Sequence, residues 1–174
     1  MQTKFYYLKY APTLKNLLGD IRSTAQWRNS NRESTSSERN TSLKEVLDSR
    51  FLIEHYYSTN TETKQKTSKK LKELIQRKEG LLPTIVISET IKIICEKVGR
   101  EEAETCYLSI IASGLQIQAL NAAIARQAGL LKCQYKNIPM GDCIIASTAI
   151  INQAKILSDD PHFDNIRETK RNWI

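Results

Sequence analysis

KEVLDSRFLIEHYY, residues 44–57, holds two structural periods divided by a single acid. Lys44-Glu45-Val46-Leu47 reads as a short buried strand that ends at Asp48, and Ser49 to Tyr57 reads as a helix. A strand that delivers a carboxylate at its carboxyl end and turns at once into a helix is the start of an α/β unit.

The alternation continues outward from there. Residues 64–77 read as a second helix, carrying Lys64, Lys66, Lys69, Lys70, Lys72 and Arg77. Leu81 and Leu82 lead through Pro83 into a helix whose predicted buried stripe is Ile87, Ile91, Ile94, Cys95 and Val98, with Gly99 as its stop. Arg100 to Gly114 reads as another helix, with Ala103, Cys106, Tyr107, Ile110 and Ile111 on one face. Leu115 to Leu120 alternates as a strand does, and a helix follows from Asn121 to about Lys132. Pro139 and Gly141 punctuate the entry to Asp142–Gln153, a helix apolar nearly all round and therefore expected to be buried. Lys155-Ile156-Leu157 reads as a final core strand, and Asn172-Trp173-Ile174 as an edge strand. Strands alternating with helices imply a parallel sheet covered on both faces, with the functional crevice beyond the carboxyl ends of its strands.

That rule selects which acids to consider. Asp48 follows the first apolar strand, and Asp159 and Asp160 follow the last long one. Asp142 opens the buried helix, where the positive end of the helix dipole favours a carboxylate. Glu89 lies one to two turns into its helix, off the predicted stripe. Taken singly, each has a structural explanation as a cap, a turn or a solvent-facing residue. Converging in one crevice, such carboxylates would repel one another and take up protons, and a hard cation with oxygen ligands would relieve the repulsion.

The ordered set resembles the PIN-domain ribonucleases, most of all the VapC-like toxins. The residues that carry the resemblance are VLDSRFLIEHYY (46–57), PTIVISETIKI (83–93), IPMGDCIIASTAI (138–150) and AKILSDDPHF (154–163). It implies a three-layer α/β/α fold with a central parallel sheet of four to five strands. It also implies that Asp48, Glu89, Asp142 and Asp160 are the catalytic, metal-holding acids, binding one or two Mg²⁺ or Mn²⁺ ions. The last acid falls in the family pattern Ser/Thr-x-Asp-x-x-Phe, here Ser158-Asp159-Asp160-Pro161-His162-Phe163, so Asp159 sits at the variable position and ranks below Asp160. Ser49 matches a small hydroxyl residue that follows the first acid, while Arg50 departs from the family pattern. His162 is a candidate substrate contact, and His55 reads as a packing or surface residue. The expected activity is metal-dependent endoribonuclease cleavage of RNA by the toxin of a toxin–antitoxin pair. The expected partners are a small antitoxin and a second copy of the chain. An RNA-processing nuclease and a non-catalytic RNA-binding module are the alternatives. Asp48-Ser49-Arg50 lacks the second Asp that a haloacid dehalogenase-type phosphatase needs.

Bulk properties agree with this reading. The 174 residues are 40% hydrophobic, enough for one domain with a real core, and net charge is +7, which favours polyanions. Cys95, Cys106, Cys133 and Cys143 form no Cys-x-x-Cys pair, which argues against a structural zinc module, and their apolar neighbours suggest reduced thiols that pack as small hydrophobes. Apolar runs are too short for the ~20 residues of a membrane span, so a cytoplasmic protein is expected. Residues 1–42 read as an extension to the 43–174 body. Leu14, Leu17, Leu18 and Ile21 stripe a short helix there, and the Ser/Thr/Asn/Arg-rich 22–42 is expected to be disordered or loosely attached.

Overall fold

Val46 and Leu47 have no solvent exposure, and the strand they belong to lies at the middle of the sheet. In the computed structural model, which describes residues 44–174, the strands are β1 (Glu45–Leu47), β2 (Gly80–Pro83), β3 (Gln116–Gln118), β4 (Lys155–Leu157) and β5 (Arg171–Asn172). They pair in the order β3-β2-β1-β4-β5, and every pair is parallel. The expectations placed on residues 1–42 lie outside the described residues.

The helices are α1 (Ser49–Tyr57), α2 (Thr61–Arg77), α3 (Thr84–Lys97), α4 (Arg100–Ala112), α5 (Ala122–Gln134) and α6 (Met140–Ile151), with a 3₁₀ helix over Pro161–Asn165. From β1 the chain steps outward to β2 and β3, then returns past β1 to β4 and β5. Right-handed crossovers in these opposite directions put α1–α4 on one face and α5–α6 on the other, which makes the α/β/α layering. The change of direction falls between β1 and β4, whose registers match Val46 to Ile156 and Leu47 to Leu157. Their carboxyl ends are therefore level, at the point where sheets of this kind place their functional crevice.

The central strands are apolar because both faces are covered: β1 and β2 are buried throughout, whereas the edge strand β3 is mostly exposed. Leu81, Leu82, Ile156 and Leu157 meet Phe51, Leu52, Val86, Ile145 and Ala146 in one core. Each large side chain removed from water contributes roughly 1.5–3 kcal/mol.

Several expected boundaries and faces need correction. Helix α2 starts at Thr61, a turn before the lysine run suggests, because Asn60 caps it by accepting from Thr63 N at 3.1 Å. The buried line of α3 is Val86, Thr90 and Ile94; Ile87 and Ile91 are half-buried, and Cys95 and Val98 are exposed. Thr90 belongs to the inner line despite its hydroxyl, so hydrophobicity alone misplaced the stripe. On α4 only Ala103, Cys106 and Ile110 of the predicted face are buried, leaving Tyr107 and Ile111 exposed. Helix α6 begins at Met140, so Asp142 lies inside its first turn instead of opening it. β3 is limited to Gln116–Gln118, and the last strand is Arg171–Asn172 rather than 172–174. All four cysteines are free thiols, but Cys95 and Cys133 are exposed, so only Cys106 and Cys143 pack as expected. Among the described residues no helix is long and apolar enough to cross a membrane.

Candidate active site

The level ends of β1 and β4 set the first part of the site. Asp48 leaves β1 in extended conformation and caps α1, its Oδ1 accepting from Ser49 N at 2.6 Å. Its Oδ2 accepts from the Ser158 hydroxyl at 2.6 Å. Ser158 follows β4 directly and is fully buried, and its oxygen also accepts from Asp160 N at 3.0 Å. One hydroxyl thus joins the side chain of Asp48 to the backbone of Asp160. Asp160 in turn caps the 3₁₀ helix through His162 N at 2.9 Å.

Asp142 and Glu89 complete the group from two helices. Burial, then repulsion from Asp48 and Asp160, pushes the Asp142 carboxyl up to about 6, against a partial opposing effect of His162. Burial raises Glu89 as well, with added repulsion from Asp48 and Asp142. Asp48 is raised by burial more than its hydrogen bonds to Ser158 and Ser49 lower it, and Asp160 adds to the rise. The four acids expected from the sequence are therefore joined by a chain of mutual repulsions, Glu89 with Asp48 and Asp142, and Asp160 with Asp48 and Asp142. Ser49 lies between two of them. Its hydroxyl is 3.3 Å from Asp48 Oδ1 and also hydrogen-bonds Glu89, and its one proton serves one carboxylate at a time.

His162 Nδ1 lies 3.4 Å from Asp142 Oδ2 and 3.5 Å from Asp160 Oδ1, so it spans two of the acids. Asp159 points elsewhere. It forms a two-pronged ion pair with Arg50, from Arg50 Nε to Oδ1 and from a terminal nitrogen to Oδ2 at 3.1 Å. That pair explains both the unusual arginine after Ser49 and the acid at the variable position, and sequence reading had not connected them. Gly141 was also missed as a site residue. A Cβ there would run into Glu89 Oε1, so the absence of a side chain makes room for the carboxylate. The available signal was its position immediately before Asp142.

Two other expectations resolve away from the pocket. His55 is a packing residue, its ring stacked on Phe51 and its imidazole pushed down to about 4, first by burial and then by Lys64 and Lys72. Of the lysine run, Lys66 pairs with Glu62 and Lys70 with Glu45, while Lys64, Lys69 and Lys72 line a cleft along α2.

The donor set is all oxygen, which suits a hard cation, and the mutual repulsion of the carboxylates is what such a cation relieves. Among the described residues, however, no three His, Cys, Asp or Glu side chains are grouped so as to hold a metal ion directly. The arrangement fits an ion that keeps part of its water shell rather than one in a closed cage.

Residues 46–169, which run from β1 past β4 and contain all four acids, match the PIN domain family. The chain belongs to that family. This PIN domain shares its fold with several solved structures. The VapBC2 complex of Rickettsia felis, bound to a promoter DNA fragment, matches at TM-score 0.62 and 18% identity, covering 75% of this chain and 98% of that one. FitAcB of Neisseria gonorrhoeae matches at TM-score 0.59 and 17% identity, covering 74% and 96%. VapC20 of Mycobacterium tuberculosis, described as a toxin that cleaves the sarcin–ricin loop, matches at 0.55 and 12%, covering 70% and 93%. No curated protein sequence matches the chain.

Proposed function

We propose that this PIN domain is a divalent-metal-dependent endoribonuclease, acting in the cytoplasm as the toxin of a toxin–antitoxin pair. The observation that carries the reading is the set of Asp48, Glu89, Asp142 and Asp160, whose charges interact at the β1/β4 switch point. Structures with the same fold include a toxin described as cleaving the sarcin–ricin loop and a toxin–antitoxin complex, which favours RNA as substrate and a small antitoxin as partner. A homodimer is part of the same proposal.

In this reading Asp48, Asp142, Asp160 and Glu89 hold the cation. A bound Mg²⁺ or Mn²⁺ supplies positive charge against the negative charge that develops on a phosphodiester, and makes water more acidic. Ser158 fixes the orientation of Asp48, and Ser49 donates its one proton either to Asp48 or to Glu89. His162, half exposed at the mouth of the pocket, is placed to meet substrate while keeping Asp142 and Asp160 together.

The test is cleavage of labelled structured and single-stranded RNAs by wild type and Asp142→Asn, with Mn²⁺, with Mg²⁺ and with EDTA. Metal-dependent cleavage by wild type alone supports the proposal. Equal behaviour of the two folded proteins on every RNA would exclude it.

A further inference from the structure

A second cavity, of about 470 Å³, opens between the α5–α6 connection and the end of the 3₁₀ helix. Gln134, Tyr135, Lys136, Asn137, Ile138 and Asn165 line it. Both of its walls lead directly to acids of the active site. The connection runs from Ile138 into the first turn of α6 and Asp142, and the 3₁₀ helix runs back from Asn165 to its cap, Asp160. At about 2.0 Å of rise per residue, Asn165 stands roughly 10 Å from Asp160, within the reach of a nucleotide next to a bond held at the acids.

The walls are built rather than loose. Lys132 Nζ donates to the carbonyls of Lys136 at 2.7 Å and Ile138 at 2.6 Å, which fixes the connection from below. Tyr135 donates its hydroxyl proton to Glu168 at 2.7 Å and accepts from Arg167 N at 3.2 Å. Gln134 donates to the same carboxylate at 3.1 Å. With those groups committed to the wall, the side chains of Lys136, Asn137 and Asn165 have no hydrogen-bond or ion-pair partner among the described residues.

We propose that this cavity is a base-recognition subsite, which receives one unpaired nucleobase of the RNA beside the cleaved bond. The Asn137 and Asn165 amides each offer a donor and an acceptor, the combination that reads a base edge, and Lys136 offers a cation to the adjoining phosphate. The volume falls within the range of small-ligand pockets, roughly 300–1,000 Å³, so it has room for a nucleotide. In an RNA duplex the pairing edges are occupied and the major groove is too deep and narrow for side chains, so the subsite selects single-stranded RNA, a loop or an end. The identity of this ligand rests on the nuclease reading above.

The test is anisotropy titration of labelled short oligo(A), oligo(U), oligo(C) and an RNA duplex, in EDTA, with wild type, Asn137→Ala and Asn165→Ala. Both asparagines are exposed, so melting temperatures should match wild type and serve as the folding control. Wild type is expected to prefer one single strand over the duplex. Each variant should lose about tenfold in affinity for that strand while changing little toward the others. Variants indistinguishable from wild type, a uniform loss on every RNA, or a wild type without preference would each overturn the subsite. Parallel cleavage assays separate the two proposals. Cleavage with unaltered base preference in the variants removes the subsite alone, whereas selective binding lost in the variants without any wild-type cleavage removes the nuclease alone.

Discussion

Asp142 shows how a single carboxyl can report on the whole pocket. Its value is raised from 3.8 to about 6, so the folded state holds a proton that the unfolded chain has already released. The stability this group contributes is intact below about pH 4 and is lost as pH rises through about 6. Without metal, Asp142→Asn should therefore melt close to wild type near pH 4 and above it near pH 7. His55, pushed down to about 4, works in the other direction and weakens the fold as pH drops below about 6.5. It is common to both proteins, so the difference between their melting curves cancels it. A constant difference across the pH range would mean that neither burial nor the neighbouring carboxylates raise Asp142. Ser158→Ala tests the adjoining contact. Removing the buried hydroxyl strips Asp48 Oδ2 of a 2.6 Å hydrogen bond and should cost about 1–3 kcal/mol in urea unfolding. A loss near zero would show that Ser158 does not hold Asp48 in place.

At the scale of elements, the site depends on where helices begin and on what their first turns leave out. Gly141 lies in the first turn of α6, where alanine would favour the helix by up to about 1 kcal/mol. The added methyl would displace the Glu89 carboxylate. Gly141→Ala should accordingly leave the melting temperature unchanged or higher while cutting metal-dependent cleavage at least about tenfold. Full activity in the variant would take Glu89 out of the proposed machinery. The Arg50–Asp159 pair links the start of α1 to the segment after β4, and both partners are more than a third exposed. A double-mutant cycle on Arg50→Gln and Asp159→Asn should therefore give a coupling below about 1 kcal/mol. The sequence revealed the acids in these elements because each sits beside an apolar run, and it missed Gly141 and the Arg50 pair because those act through contacts between distant segments. The α3 stripe failed for a related reason. Thr90 occupies an inner position that the pattern of isoleucines and cysteine assigned to other residues.

At the scale of the molecule, the fold was legible because β1 and β4 each end in a buried apolar pair, Val46-Leu47 and Ile156-Leu157, with an acid following directly after β1 and one residue after β4, and parallel topology then brings Asp48 and Asp160 to the same edge. Which helix face turned inward was less legible, since it depends on the neighbours each helix meets after the chain has folded. If the four acids hold a cation as proposed, metal binding and folding are linked through them. A cation that binds only the folded state stabilises it by about 2.7 kcal/mol at a hundred times its dissociation constant. With about 2.1 cal/mol/K of unfolding entropy per residue over the 44–174 body, that corresponds to a rise in melting temperature of roughly 10 °C. Saturating Mn²⁺ or Mg²⁺ should produce such a rise in wild type, EDTA should reverse it, and Asp142→Asn should show much less of it. Sodium chloride at matched ionic strength is the necessary control, because a basic protein of net charge +7 responds to salt through its whole surface. Equal shifts in wild type and variant, or a shift that sodium chloride reproduces, would show that the cation acts on the general field rather than at the four acids.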